Sequence, residues 1–359
     1  MHSYFFLARH RVGLIAFALA LAGFGVAFSA TVSATTDAVP CEAGASAVCY
    51  FGFEPAGARG QLHYYASRLP AASTGSAGST GPSNALIVVH GHSRDANKTF
   101  DAALVAVKRA GRLGDTLIVA PLFQVNASGS AKCRTGGVPA AEPGDLVWSC
   151  SSWIDGGTSA NGARLSSFKT LDALVIEVSL QWPQLHSVTI AGFSAGAQMV
   201  QHSIGFAAAP PTGIALRYVI SDPGTWLYFD AFRPQPVDAA ACPSINRWKY
   251  GTDALPAHLG RSAAQARAQY TAAEIHYLEG ALDSGDAKGA YYKILDKSCG
   301  ANAQGTYRLE RGQAYAEYDR TLLAPVQQRE LTVVPGCAHD VACVFPSPTA
   351  RAALLGAPR

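Results

Sequence analysis

Residues 187 to 201 read S-V-T-I-A-G-F-S-A-G-A-Q-M-V-Q, a strand-like apolar run followed by a helix-like one. Between the two lies Gly192-Phe193-Ser194-Ala195-Gly196, a G-x-S-x-G motif. This motif is typical of a tight turn that presents a serine hydroxyl above a sheet. The glycines stand two places either side of the serine because strand and helix nearly collide there, and a Cβ would clash. Ser194 is therefore a candidate nucleophile, although 35 glycines make a chance match easy.

Apolar strand patterns alternate with amphipathic helix patterns on both sides of this motif. The expected strands are residues 49–55, 61–69, 85–89, 116–120, 188–191, 216–220, 274–278 and 330–334, and the expected helices are residues 97–112, 165–182, 198–207, 305–322 and 347–355. Continuously apolar runs such as residues 85–89 indicate strands that are buried on both faces. The alternation predicts an α/β fold with a mainly parallel central sheet, flanked by helices, that begins with an antiparallel pair.

Three segments interrupt this alternation. Residues 71–83 are a low-complexity insertion of small residues. Residues 121–162 form a long loop insertion, which we expect to be both functional and held by a disulfide. Residues 228–273, rich in Pro, Ala, Arg and aromatic residues, predict a cap over the carboxyl ends of the strands. Four aromatic side chains in or near the last two segments either line an aromatic acyl or polymer site or pack in the core: Trp148, Trp153, Trp226 and Tyr228.

The first 34 residues have the pattern of an export signal. Arg9 and Arg11 precede an apolar run over residues 12–28, and Val32-Ser33-Ala34 offers a small-residue cleavage site. An uncleaved membrane anchor is the alternative, because the run is near the lower length limit for a span. We expect a signal peptide over 1–34 and a single catalytic domain over 35–359.

The expected mature chain is nearly neutral. Arg9 and Arg11 are among the 28 basic side chains of the whole chain, so cleavage leaves 26 against 25 acidic ones. Such a surface gives no electrostatic argument for binding nucleic acid. We therefore expect a secreted or periplasmic protein with no nucleic-acid partner and no stable membrane insertion after cleavage.

All eight cysteines follow the expected cleavage site: Cys41, Cys49, Cys133, Cys150, Cys242, Cys299, Cys337 and Cys343. An even number in an exported chain predicts disulfides, although the sequence does not choose among the possible pairings. Proximity along the chain favours Cys41–Cys49, Cys133–Cys150 and Cys337–Cys343, which leaves Cys242–Cys299. A zinc site of Cys337, His339 and Cys343 is an alternative, but it has no fourth ligand nearby, so we expect no metal.

Polar residues that suit acyl-transfer chemistry follow three of the expected strands. Ser194, Asp283 and His339 come just after apolar strands, in that chain order. A serine hydroxyl needs a base to take its proton, and an imidazole with an ordinary pKa near about 6.5 suits that task. An acid would hold the imidazole in the required tautomer. Asp222, which ends the preceding strand, and Asp286 are the alternative acids.

The order Ser, Asp, His on an alternating α/β chain resembles the α/β-hydrolase fold over nearly the whole mature length. The turn Gly280-Ala281-Leu282-Asp283 matches the Gly-x-x-Asp pattern of that family, which favours Asp283 as the acid. The resemblance also implies an oxyanion hole of two backbone N–H groups. One is that of Ala195, and the other is that of His92, with Ser93 as the alternative. The side chains of His90 and His92 are expected to pack the loop.

The export signal, the G-x-S-x-G motif and the disulfides resemble the secreted esterase and polyester-depolymerase branch of this family. The resemblance implies a serine hydrolase that cleaves small or polymeric carboxylic esters through an acyl-enzyme, without a cofactor. The alternatives are a secreted peptidase or amidase with the same triad and a non-catalytic binding protein on a hydrolase scaffold. The Cys337–Cys343 bracket is not required by the fold and would constrain the histidine loop.

Overall fold

An eight-stranded sheet forms the centre of the molecule. The structure is a computed structural model that describes residues 40–70, 81–238 and 240–356. Its strands are β1 (Tyr50–Phe53), β2 (Leu62–Ala66), β3 (Asn84–Val89), β4 (Thr116–Leu122), β5 (Gln124–Val125), β6 (Val147–Trp148), β7 (Ser187–Phe193), β8 (Ala215–Ser221), β9 (Glu274–Gly280) and β10 (Leu331–Val334). The large sheet has the order β1-β2-β4-β3-β7-β8-β9-β10, and β5 and β6 pair separately.

The sheet begins antiparallel and continues parallel. β2 pairs antiparallel with both β1 and β4, and every later neighbouring pair is parallel. The predicted mainly parallel sheet with an antiparallel start is therefore confirmed. Because parallel strands point the same way, the carboxyl ends of β3, β7, β8, β9 and β10 meet at one edge. In open α/β sheets, ligands bind at this edge.

Helices connect the strands. They are α1 (Ala96–Arg109), α2 (Ala127–Cys133), α3 (Ser167–Gln181), α4 (Ala195–Ile204), α5 (Ala263–Ala272), α6 (Cys299–Asn302), α7 (Arg308–Tyr318), α8 (Val341–Val344) and α9 (Arg351–Leu355). Helix α7 continues into a π-helical turn, Asp319–Leu323, and the short α9 follows a 3₁₀ turn, Pro348–Ala350. In the described part of the chain, none of these helices has the length and apolar character needed to cross a membrane.

The interior strands are buried as their composition predicts. Every residue of β4 is buried, as is all of β7 after its first residue. β7 lies between β3 and β8, so both of its edges are hydrogen-bonded, and helices cover the hydrophobic faces. This places the end of β7, and the turn that follows it, in the interior of the sheet, with a hydrogen-bonded strand on each side.

Both long insertions contain regular structure that the sequence did not predict. The segment 121–162 holds the β5–β6 pair and α2, and the segment 228–273 ends in α5. Helix α5 has the sequence A-A-Q-A-R-A-Q-Y-T-A, in which only Ala266 and Tyr270 are buried. Its sequence therefore lacks the apolar stripe by which an amphipathic helix can be predicted. The expected signal peptide and most of the 71–83 insertion lie outside the described residues.

The aromatic side chains of these insertions pack inside the protein. Trp148, Trp153, Trp226 and Tyr228 are completely buried. Trp153 stacks on Phe123, and Trp226 stacks on Tyr315. Of the two roles that the sequence left open, these residues therefore have the packing role.

Four disulfides cross-link the chain, and their pairing is the one favoured by proximity along the sequence. They join Cys41 to Cys49, Cys133 to Cys150, Cys242 to Cys299 and Cys337 to Cys343. Disulfides are typical of proteins in oxidising compartments. The second closes a loop within 121–162, and the fourth brackets His339.

Candidate active site

The turn between β7 and α4 holds Ser194 in a backbone conformation that side-chain-bearing residues rarely adopt. Its φ is +58° and its ψ is −122°. The flanking glycines make room for this turn. A Cβ on Gly192 would lie 2.3 Å from the carbonyl oxygen of Gly196, and one on Gly196 would lie 2.3 Å from that of Val89. The close approach of strand and helix thus explains the spacing of the motif.

We expect Gly196→Ala to destabilise the protein strongly, although alanine normally favours a helix over glycine by about 1 kcal/mol. The new Cβ would meet the carbonyl oxygens of Val89 and His90 at 2.3 and 2.4 Å. Because both are backbone atoms at the end of a central strand, relief requires moving the strand or the helix, at a cost above about 3 kcal/mol.

Thermal and urea unfolding measure this effect. Gly114→Ala is the matched control, because a Cβ there meets nothing within 4 Å. Equal stability of the two variants would contradict the steric explanation of the motif.

Three of the predicted residues form one hydrogen-bonded chain. His339 Nε2 lies 2.8 Å from Ser194 Oγ, and His339 Nδ1 lies 2.7 Å from Asp283 Oδ2. Asp283 and His339 are buried, whereas Ser194 is half-buried. With Asp283 ionised, its carboxylate only accepts, so Nδ1 carries the proton and Nε2 is free to accept the hydroxyl proton of serine. The arrangement therefore fits a nucleophile, a base and an orienting acid.

The alternative acids have other positions. Asp222 is completely buried, but its Oδ1 accepts a hydrogen bond from the N–H of Gly280 at 2.8 Å and its Oδ2 accepts one from the hydroxyl of Ser221 at 2.7 Å. Asp286 is exposed. The structure thus places Asp283 in hydrogen-bond contact with His339, while the two oxygens of Asp222, although close by, accept from Ser221 and Gly280 instead.

Arg308, at the start of α7, pairs with the candidate acid. Its Nη1 lies 3.3 Å from Asp283 Oδ1 and donates to the carbonyl of Ala290 at 2.7 Å. Sequence reasoning missed this residue, because an arginine in a helix pattern gives no sign of a partner 25 positions earlier. The pair holds Asp283 in place from the side opposite His339.

His90 fixes the peptide that carries the predicted oxyanion donor. Its Nε2 accepts the N–H of Phe123 at 3.1 Å, so its Nδ1 carries the proton and donates to the carbonyl of Gly91 at 2.8 Å. Burial lowers the pKa of His90 to about 4, so the ring is neutral. The Gly91 carbonyl belongs to the same planar peptide unit as the His92 N–H, and His90 therefore orients that N–H.

The same loop passes beside Ser194. A Cβ on Gly91 would lie 3.7 Å from the Cβ of Ser194. The side chain of His92 is exposed, so only His90 has the packing role that was expected of both histidines. Ala195, which carries the other predicted donor, is the first residue of α4, where backbone N–H groups have no partner within the helix.

Arg94 connects this loop to the 121–162 insertion. It is completely buried, and burial lowers the pKa of its guanidinium to about 10. Its guanidinium donates to the backbone carbonyls of His92, Phe123, Ser149 and Cys150. It also lies over the ring of Trp153, at 5.2 Å. The insertion therefore supports the loop that carries the predicted oxyanion donor.

The zinc alternative is wrong. Zinc binds cysteine as thiolate, whereas Cys337 and Cys343 are joined in a disulfide. The two nitrogens of His339 are directed at Asp283 and Ser194. The disulfide instead holds the short loop that presents the imidazole.

Comparison with known proteins identifies related folds. No family model matches the sequence, and no curated protein matches it either. A structural match is the poly(3-hydroxybutyrate) depolymerase of Bordetella parapertussis, with 17 % identity over 84 % of this chain and 86 % of that chain, at a TM-score of 0.57. Another is poly(aspartic acid) hydrolase-1 of Sphingomonas sp. KT-1, with 20 % identity over 85 % of this chain and 97 % of that chain, at a TM-score of 0.54.

These likenesses agree with the sheet order and with the strand–serine–helix turn. The protein has the α/β-hydrolase fold. The resemblance inferred from the order of Ser194, Asp283 and His339 is thereby confirmed at the level of the fold.

Proposed function

We propose that this protein is an extracytoplasmic serine hydrolase that cleaves carboxylic esters through an acyl-enzyme. The observation that carries the proposal is the unbroken chain from Ser194 Oγ through His339 to Asp283, with distances of 2.8 and 2.7 Å. A nucleophile, its base and an orienting group within hydrogen-bond reach are the geometric signature of nucleophilic catalysis. The chain starts at the strand end where this fold binds ligands.

In the proposed reaction, His339 Nε2 takes the proton of Ser194 as Oγ attacks the ester carbonyl carbon. Asp283 holds the ring so that Nε2 faces the serine, and it stabilises the imidazolium. The imidazolium then gives its proton to the leaving alcohol, and the acyl group remains on Ser194. Water, activated by the same imidazole, releases the acid and restores the serine.

The negative charge that develops on the carbonyl oxygen needs two donors. We assign these to the backbone N–H groups of Ala195 and His92. The start of α4 favours an anion at Ala195. The hydrogen bond from His90 to Gly91 holds the second peptide before substrate binds, and such preorganisation lowers the barrier because no donor has to be reoriented during the reaction.

Exposed apolar side chains in the segment that contains and follows Asp283 support an apolar or polymeric ester as substrate. Tyr291 is 59 % exposed and its ring centroid lies 6.1 Å from that of His339. Leu282, next to Asp283, and Ile294, at the end of the turn that follows Tyr291, are also exposed. A polyester depolymerase is one of the structural matches, which agrees with this class of substrate.

An amide substrate is the second candidate, because the other structural match is a hydrolase of poly(aspartic acid). A panel of p-nitrophenyl esters of increasing acyl length, assayed beside the matching p-nitroanilides, distinguishes the two. We expect turnover of the esters without cleavage of the anilides. Anilide cleavage at a comparable rate would favour the amidase, and a chain that neither hydrolyses esters nor reacts with a fluorophosphonate would be a binding protein.

We expect His90→Leu to lower kcat by about 10²- to 10³-fold with little change in KM, the usual effect of losing one oxyanion donor. The leucine removes the hydrogen bond that orients the Gly91–His92 peptide. His90→Asn is the matched variant, since its amide places a donor near the position of Nδ1, and it should recover part of the loss. Steady-state kinetics on one ester measure both parameters; equal kcat values for the two variants would contradict this role.

The four disulfides support export of the chain. We propose that residues 1–34 are removed on export and that the mature protein begins at Thr35. Amino-terminal sequencing of secreted material identifies the first residue. Retention of the segment in the membrane fraction would favour the anchor.

A further inference from the structure

The acid that orients His339 is already paired with a cation. The side chains of Arg308 and Asp283 are 4 % and 2 % exposed, and their charged atoms lie 3.3 Å apart. When His339 takes the serine proton, these three groups together would carry one net positive charge in a buried place. A buried charge without compensation is costly. A further negative charge near the imidazole would remove that cost.

Asp222 offers a carboxylate at the required place. It is completely buried, and the ligand-capable atoms of Asp222, Asp283 and His339 all lie within 4.8 Å of one another. Its two oxygens accept hydrogen bonds from Gly280 N–H and the Ser221 hydroxyl, and such bonds favour the ionised form. Among the described residues, no lysine or arginine forms an ion pair with it.

Glu279 is a third buried carboxyl in the same cluster. The backbone N–H of Asp222 donates to the carbonyl of Leu278, so Asp222 lies alongside Glu279 on the neighbouring strand. The carboxyl of Glu279 lies against Gly312 of α7, where a Cβ would come within 2.3 Å of Oε1. Neither oxygen has a hydrogen-bond partner of ordinary geometry in the described part of the protein.

These surroundings favour the neutral form of Glu279. Burial, followed by the nearby carboxyls of Asp222 and Asp283, raises the pKa of Glu279 well above its ordinary range. Burial also raises the pKa of Asp222, but the positive charge of a protonated His339 opposes this. The proton therefore belongs on Glu279, with the carboxylate of Asp222 facing it.

We infer that Glu279 is protonated and neutral, whereas Asp222 is ionised and supplies the negative charge that balances the imidazolium of His339. This inference rests on the proposed function. With a neutral imidazole, the cluster of Asp222, Glu279, Asp283, Arg308 and His339 carries one net negative charge. Transfer of the serine proton to His339 makes it neutral. Asp222 acts through His339 and is a positioning residue. A further titratable neighbour of the imidazole is the phenol ring of Tyr291, whose centroid lies 6.1 Å from that of His339.

The pH dependence of kcat/KM tests the inference, because its acid limb reports protonation of the essential base in the free enzyme. We expect Asp222→Asn, which keeps the shape and removes the charge, to move this limb to lower pH by about one unit. Glu279→Gln is the matched control: it is also isosteric, but it replaces a neutral group, so the limb should stay in place. Arg308→Gln, which removes the positive charge, should move the limb to higher pH.

Two readouts do not depend on turnover, so they remain available if the proposed function fails. NMR titration of the His339 ring in the full mature protein, with labelled histidine, should show the same order of midpoints for the three variants. The infrared difference between wild type and Glu279→Gln at neutral pH should contain the carbonyl band of a protonated carboxylic acid. An unchanged limb and NMR midpoint in Asp222→Asn, or a difference spectrum with carboxylate bands only, would overturn the inference.

Discussion

Ser194→Ala is expected to lower kcat/KM for p-nitrophenyl esters by about 10⁵- to 10⁶-fold, the loss typical of removing a catalytic serine. Without Oγ there is no atom to form the acyl bond, and His339 Nε2 loses its partner at 2.8 Å. Covalent labelling by a fluorophosphonate should disappear as well. Substrate binding should be retained, since the substitution leaves the rest of the site in place.

Ser203→Ala is the matched control for this variant. Ser203 lies on the same helix, α4, and its buried hydroxyl donates to the carbonyl of Val200 at 2.8 Å rather than to a residue of the candidate triad. We expect it to retain both labelling and turnover. If Ser194→Ala is labelled as well as Ser203→Ala, the nucleophile is a different residue.

Asp283→Asn is expected to lower kcat by about 10⁴-fold while the protein remains folded. An amide in place of Oδ2 would favour the wrong tautomer of His339, with the proton on Nε2 and no lone pair for the serine proton. The substitution also leaves Arg308 without its carboxylate partner. Circular dichroism and thermal unfolding, measured beside the kinetics, separate this chemical effect from a loss of structure.

Asp286→Asn makes the same chemical change three residues later, at an exposed position, and should leave kcat unchanged. A variant Asp283→Asn that keeps more than a tenth of the wild-type kcat would refute Asp283 as the orienting acid. A 10⁴-fold loss in Asp222→Asn alone would transfer that role to Asp222.

The fold and the candidate triad could be predicted from the sequence because the patterns that indicate them are local. Ser194, Asp283 and His339 each follow a short segment rich in apolar residues, so each could be placed at a strand end without knowing the tertiary structure. The parallel sheet then brings those ends together. The choice between Asp222 and Asp283 was harder, since both end strands, and the observed distances favour Asp283.

The residues that hold the triad and its loops in place could not be predicted from the sequence, because their roles depend on contacts between residues that are distant in sequence. Arg308 pairs with Asp283 across 25 positions, and Arg94 reaches the carbonyls of Ser149 and Cys150 across more than 50. Glu279 carries one weak signal, a carboxyl in an otherwise apolar strand end just before the Gly-x-x-Asp turn. Whether such a group is buried and neutral is decided by the packing of α7, which no local pattern reveals.

The disulfide between Cys337 and Cys343 couples the geometry of the histidine loop to the redox state of its surroundings. It closes a small ring that contains His339, and a ring of that size restricts the unfolded loop by about 2 kcal/mol. Reduction would open this ring and remove the covalent constraint on the loop that holds His339 against Ser194. We therefore expect the distance between His339 and Ser194 to be held less firmly in a reduced chain than in an oxidised one.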